Sequence, residues 1–197
     1  MMANWYSYYG NGYTAALWPA SYREHNVDII AYYFSSLGWT INAIAGMLGN
    51  MEVESYLNPG QWEHSYPVEQ TPAVGGYGLV QWTPWTNYTN WAGADYSTNF
   101  DKQLDRIKYE FDNGLQWIPT GSYPETFAQF SQSTATPSYL AMAFFKDYER
   151  GVGGETQRMN NAEYWYSYLQ AHPPGPVPPP ILKKMNIMLY LKPWWKL

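Results

Sequence analysis

Cysteine is absent from the 197 residues, which excludes disulfides, thiolate nucleophiles and cysteine-ligated metals and leaves the redox compartment open. Histidine is scarce: His25, His64 and His172 stand far apart, with none of the spacings that zinc sites use, so no metal or other cofactor is expected. The formal net charge is -5 and no basic cluster precedes the C-terminal tail. Binding to a phosphate backbone needs concentrated Lys and Arg, so nucleic acid is not an expected partner. No basic segment followed by an apolar stretch opens the chain, and no signal peptide is read. No apolar run is long enough for a transmembrane segment. Exit from the producing cell by lysis, by a helper pathway or within a particle is the expectation that remains.

What the chain has in excess is aromatic rings. They make up 19% of it, with 11 Trp and 20 Tyr, within a hydrophobic content of 46%. That is enough for one compact core, and more rings than a small core requires. Some are expected to line a groove, where flat faces stack on sugar rings or on a partner.

The periodicity is helical. Asn26 reads as an N-cap, with Val27, Ile30, Ala31 and Phe34 inward and Gly38 as the stop. Thr40 caps a second helix carrying Ile41, Ile44, Ala45, Leu48 and Met51, which Asn58-Pro59-Gly60 ends. Residues 60–76 form a long loop without period. Trp85, Tyr88 and Trp91 suggest a short helix, and Phe100, Leu104, Ile107 and Phe111 define the clearest one, over 99–112. Pro124 opens a helix with Phe127 and Phe130 inside. Thr136-Pro137 starts another through Leu140, Ala143, Phe144 and Tyr148, and a last one near 160–170 buries Ala162, Trp165, Tyr166 and Leu169. The fold class read from this pattern is mainly α, with six to seven helices and room for a small β-hairpin in 60–82. Residues 1–20 read as an aromatic arm, 21–171 as the folded domain, and 172–180 as a stiff polyproline linker. Residues 181–197 read as a Lys/Trp-containing segment suited to docking on a partner or to a bilayer interface.

The chemistry centres on two glutamates near the end of the second helix. Glycoside cleavage needs a carboxyl group that still holds a proton near neutral pH, and burial against apolar or aromatic surface achieves this. Glu52 falls in line with Ile41, Ala45 and Leu48, whereas Glu54 falls beside Ala43 and Met47, so the helical wheel leaves both open. Beyond them the glycines Gly75, Gly76 and Gly78 allow close backbone approach or simply a turn. Trp62, Tyr77, Trp82 and Trp85 offer rings for sugar faces or for the core. Glu63, Glu69 and Asp95 are within reach as a second carboxylate, and none is assigned.

The stretches Gly46-Met47-Leu48-Gly49-Asn50-Met51, Glu54-Ser55 with Asn58-Pro59-Gly60, Gly78-Leu79-Val80-Gln81-Trp82-Thr83-Pro84, Tyr148-Glu149-Arg150 and Ala162-Glu163-Tyr164-Trp165-Tyr166 occur in one order and spacing. In these, residues 26–170 resemble the phage tail lysozyme family and, more distantly, goose-type lysozymes and lytic transglycosylases. The resemblance implies an α+β lysozyme-like fold around a substrate cleft and cleavage between N-acetylmuramic acid and N-acetylglucosamine, with Glu54 as general acid and Gln81 across the cleft. Trp82, Tyr77, Gly78, Trp62 and Tyr148 are the candidate substrate-binding residues beside Gln81, and Ser55, Glu149 and the wheel's rival Glu52 are candidate supporting residues. The implied partner is the peptidoglycan glycan strand. The implied setting is a virion tail or a released, wall-lysing antimicrobial enzyme, with other tail proteins met through the arm or the tail segment. A lytic transglycosylase and a non-catalytic glycan-binding virion protein are the alternatives.

Overall fold

The computed structural model describes residues 3–7, 18–63 and 74–175. Among them are seven α-helices: α1 Ala20–Ser36, α2 Ile41–Ser55, α3 Thr86–Ala92, α4 Asp101–Asp112, α5 Phe127–Gln132, α6 Pro137–Ala143 and α7 Glu155–Ala171. A π-helical turn, Phe144–Glu149, prolongs α6. The mainly α expectation holds. The described residues of 60–82 contribute two isolated antiparallel bridges, Trp62 with Tyr77 and Tyr77 with Trp82.

Helix α2 is the axis of the molecule. Residues Ala43 through Glu52 are all buried, because α1, α5, α6 and α7 surround it. A helix covered on every side cannot have a polar face, which is why no single stripe describes it. Its closest neighbours approach over glycine. A Cβ on Gly49 would lie 2.5 Å from the Arg158 carbonyl oxygen and 2.9 Å from the Ala162 Cβ, and one on Gly46 would lie 2.8 Å from the Leu140 backbone. Gly49→Ala is therefore expected to push α7 off α2 and cost about 1–3 kcal/mol, the usual penalty for overpacking. A denaturant melt of the variant checks this, and an unchanged midpoint would contradict the close packing.

Side-chain caps set three of the helix starts. Thr40 Oγ1 accepts from Ala43 N at 3.1 Å, and Thr126 with Gln129 forms a capping box on α5. Thr136 caps α6, with Pro137 in its first turn. Gly38, at φ 83°, takes the left-handed position after α1.

Several helix boundaries differ from the sequence reading; α5, for one, begins at Phe127 behind the Thr126 cap, not at Pro124. Helix α1 begins at Ala20, not at Asn26, which lies fully buried inside the helix. A buried amide in a helix is tolerated only when it is satisfied elsewhere. Here Asn26 Nδ2 donates to the Tyr6 and Leu57 carbonyls, both at 2.8 Å, and Oδ1 accepts from Tyr6 N at 3.0 Å. Helix α2 stops at Ser55, with Tyr56 and Leu57 at φ 54° and 60°, ahead of the Asn58-Pro59-Gly60 signal. Helix α7 starts at Glu155, five residues before the apolar period becomes visible.

The described part of the N-terminal arm lies on its own domain. Ala3 N and Trp5 Nε1 both donate to the Asp101 carboxylate, at 2.9 and 2.7 Å, and the Tyr6 ring stacks on Tyr22 at 4.0 Å. The expected docking segment 181–197 and most of the linker lie outside the described residues. Among the described residues, no helix is long and apolar enough to cross a membrane.

Candidate functional site

A cleft of about 980 Å³ opens where the end of α2, the 61–63 and 80–83 segments, α4, the 115–116 loop and the turn 148–151 meet. Its size is at the upper end of ordinary ligand pockets, about 300–1,000 Å³. Four carboxylates line it: Glu54, Glu63, Glu110 and Glu149.

Glu54 stands on the last turn of α2, where the helix emerges from the core. Its Oε1 accepts from Arg158 Nη2 at 2.6 Å, and the side chain is 21% exposed. Arg158 comes from the first turn of α7 and is almost enclosed, at 6% side-chain exposure. It also donates to Asn50 Oδ1 at 3.0 Å and lies 4.1 Å over the Phe145 ring. Asn50 is in turn fixed by donating to the Gly46 and Ala141 carbonyls. The carboxylate at the cleft is thus held by a guanidinium that α2, α6 and the π-turn all clamp.

Glu52 points elsewhere. It does not line the cleft; it accepts from Arg23 Nη1 at 2.5 Å and from Trp165 Nε1 at 2.6 Å, joining α1, α2 and α7. Burial pushes its carboxyl above the ordinary range, and Arg23 only partly offsets this. Two positions along a helix are about 200° apart, so neighbouring glutamates serve opposite sides of α2. Ser55 is buried and structural in its contacts: Oγ shares its one proton between Met51 O at 2.9 Å and Leu79 O at 3.0 Å, tying α2 to the glycine-containing turn.

Gln81 faces the cleft from the opposite wall, in a left-handed backbone conformation (φ 48°). Its Nε2 donates to Gln61 O at 3.1 Å and Gly78 O at 2.9 Å, so both amide hydrogens are committed to backbone and the acceptor oxygen is what it offers a ligand. Gly78 does not line the cleft. It turns at φ 85° against Gln103, whose Oε1 would lie 2.7 Å from an added Cβ. Its glycine is required for packing, not for approach to a sugar.

The rings differ from expectation. Tyr77 is fully buried between Trp62, Tyr88 and Tyr96 and does not reach the cleft. Trp62 and Trp82 back the cleft but are only 0% and 5% exposed, and Trp82 stacks on Tyr88 at 4.8 Å. Tyr148, also buried, stacks on Phe144 and gives its hydroxyl to Glu110. Aromatic atoms shared among so many neighbours have little face left for a sugar. Tyr56, half-buried at the helix end, is the cleft ring that retains some.

Sequence reasoning missed Arg158 and Glu110. Glu110 is buried and accepts from Trp82 Nε1 at 3.2 Å and Arg106 Nε at 2.8 Å as well as from Tyr148. Of the carboxylates within reach by sequence, Glu63 lines the cleft and accepts from Gly76 N at 2.9 Å. Asp95 lies outside it, paired with Lys102, and Glu69 is outside the described residues.

Glu149, at the end of the π-turn, is the carboxylate with least support. Its Oε1 is enclosed and has no hydrogen-bond partner among the described residues. Burial pushes its carboxyl well above the usual range, and the charges of Glu54 and Glu110 push it further against the pull of Arg158 and Arg150. The π-turn inserts an extra residue per turn and so swings Tyr148 and Glu149 to the cleft; such turns are frequent at functional sites.

Comparison with known proteins gives the family. The chain is 43% identical over 147 residues to Morphogenesis protein 1 of Bacillus phage B103, covering 73% of this chain and 39% of that protein. It thus spans about two fifths of the length of this curated relative. Residues 25–169 match the phage tail lysozyme family over helices α1 to α7, the whole frame of the cleft. The chain belongs to the phage tail lysozyme family.

Proposed function

We propose that this domain cuts the glycan strand of peptidoglycan between N-acetylmuramic acid and N-acetylglucosamine, with Glu54 as the general acid, while attached to a phage tail. The observation that carries the reading is the position of Glu54. It is the α2 carboxylate that faces a cleft of saccharide size, opposite Gln81, in a chain of this family. Protonation of the glycosidic oxygen lets the C1–O bond break with oxocarbenium character at C1. Gln81 and the polar cleft walls hold the sugars by hydrogen bonds more than by stacking, since the neighbouring indoles are covered. Setting on a virion is supported by the family and by the relative's name, and the segments outside the described residues are the proposed attachment points.

Digestion of purified walls, followed by mass spectrometry of the soluble fragments, tests this. The expected products carry a reducing muramic acid end derived from water. A 1,6-anhydro end would assign the protein to the lytic transglycosylases instead. Walls bound but left intact would mark it as a glycan-binding virion component, a role that the relative's name also accommodates.

A further inference from the structure

We propose that Glu149 is a positioning residue that stores the proton Glu54 delivers to the leaving sugar. The inference rests on the reading of Glu54 as the acid and adds the partner which keeps it supplied. Four observations carry it. Glu149 and Glu54 line the same cleft from different elements, the π-turn and α2. Arg158 gives Nη2 to Glu54 and Nη1 to Asn50 and makes no hydrogen bond to Glu149 among the described residues, so its hydrogen bonds favour the Glu54 carboxylate. Glu149 Oε1 is enclosed without any donor among the described residues, an arrangement that an ionised carboxylate would pay for heavily and a carboxylic acid tolerates. The remaining charges facing it are Glu110, already paired with Arg106 across α4, and Arg150 beside it, which donates to the Gln116 carbonyl.

A carboxyl raised in this way keeps its proton as pH climbs past the ordinary carboxylate range, in the same cleft that Glu54 lines. In the resting protein the proton sits on Glu149 and Glu54 faces Arg158. When a glycan enters, the proton passes from the Glu149 carboxyl to Glu54 through the cleft, and from Glu54 to the glycosidic oxygen as the C1–O bond breaks. The departing sugar leaves with a new O–H bond. Water adds to C1 and releases one proton, which restores the pair. The singly protonated pair contains the same number of protons whichever residue holds them, so activity persists on the alkaline side until that last proton is lost.

The test is the pH profile of wall cleavage for wild type and Glu149→Gln, with melting curves alongside. Gln fills the same space, stores no proton and places no second charge against Glu54. The alkaline limb of the variant is expected to move to lower pH by at least a unit, so that activity near neutral pH falls about tenfold while activity near pH 5 is largely kept. Stability gives an independent readout. A carboxyl raised in the folded state loses stability as pH climbs from the ordinary carboxylate range to its raised value, and Glu149→Gln removes that loss. The variant should therefore melt higher than wild type at alkaline pH. Superimposable pH profiles would overturn the proposal, and so would a uniform drop at every pH. Wild type that fails to cut walls at all would instead reject the reading of Glu54.

Discussion

Glu54→Gln is expected to clear purified walls at least about a hundredfold more slowly than wild type, the lower part of the range for a lost general acid. Gln keeps the size and an oxygen for Arg158, so the 2.6 Å contact survives as a neutral hydrogen bond. Folding should be little affected, since Glu54 retains contact with water at the cleft. Loss of activity with retained melting is the signature that separates chemistry from structure. Glu52→Gln gives the mirror image. Its carboxylate serves Arg23 and Trp165 on the far side of α2, so the variant should cut walls at the wild-type rate and register any effect in its melting curve. Equal clearing by wild type and Glu54→Gln, or loss of clearing in Glu52→Gln without unfolding, would refute the assignment.

Arg158→Met is expected to damage both stability and activity. The substitution keeps the aliphatic stem but leaves Asn50 Oδ1 and Glu54 without their donor and removes the cation from the Phe145 face. Removing one partner of a buried ion pair costs about 3–5 kcal/mol; the partial exposure of Glu54 argues for the lower end. For a domain of this size, about 3 kcal/mol lowers the melting temperature by roughly 6–12 °C. Cleavage should fall even below the new melting point, because Glu54 would lose the donor that holds it at the cleft. Thermal melts and wall clearing at a low temperature measure the two effects separately. A variant that melts and cuts like wild type would show that the clamp on Glu54 is dispensable.

The residues that were hard to find in the chain share one property. Arg158 is in phase with Ala162, Trp165 and Leu169, and Glu110 with Gln103 and Ile107, on the buried sides of α7 and α4. Each is a charged residue on an apolar stripe. Such a position signals a buried partner, but periodicity weights it as an interruption, and the partner lies far along the chain. The separation is 104 residues for Arg158 and Glu54 and 38 for Tyr148 and Glu110. Asn26 misled for a related reason. Its side chain suits an N-cap, yet the arm and the residue after α2 satisfy it inside α1.

By itself the sequence determined the local matters: a helical fold, the caps at Thr40 and Thr136, the turn at Gly38, the family, and a short list of glutamates near the end of α2. These follow from backbone hydrogen bonding and from apolar spacing, which act over a few residues. Only the tertiary structure decided which glutamate meets the cleft, which rings are covered, and which cation stands beside Glu54. Those outcomes depend on how helices distant in sequence pack around α2, and on the electrostatics of charges that share a site only once the chain has folded.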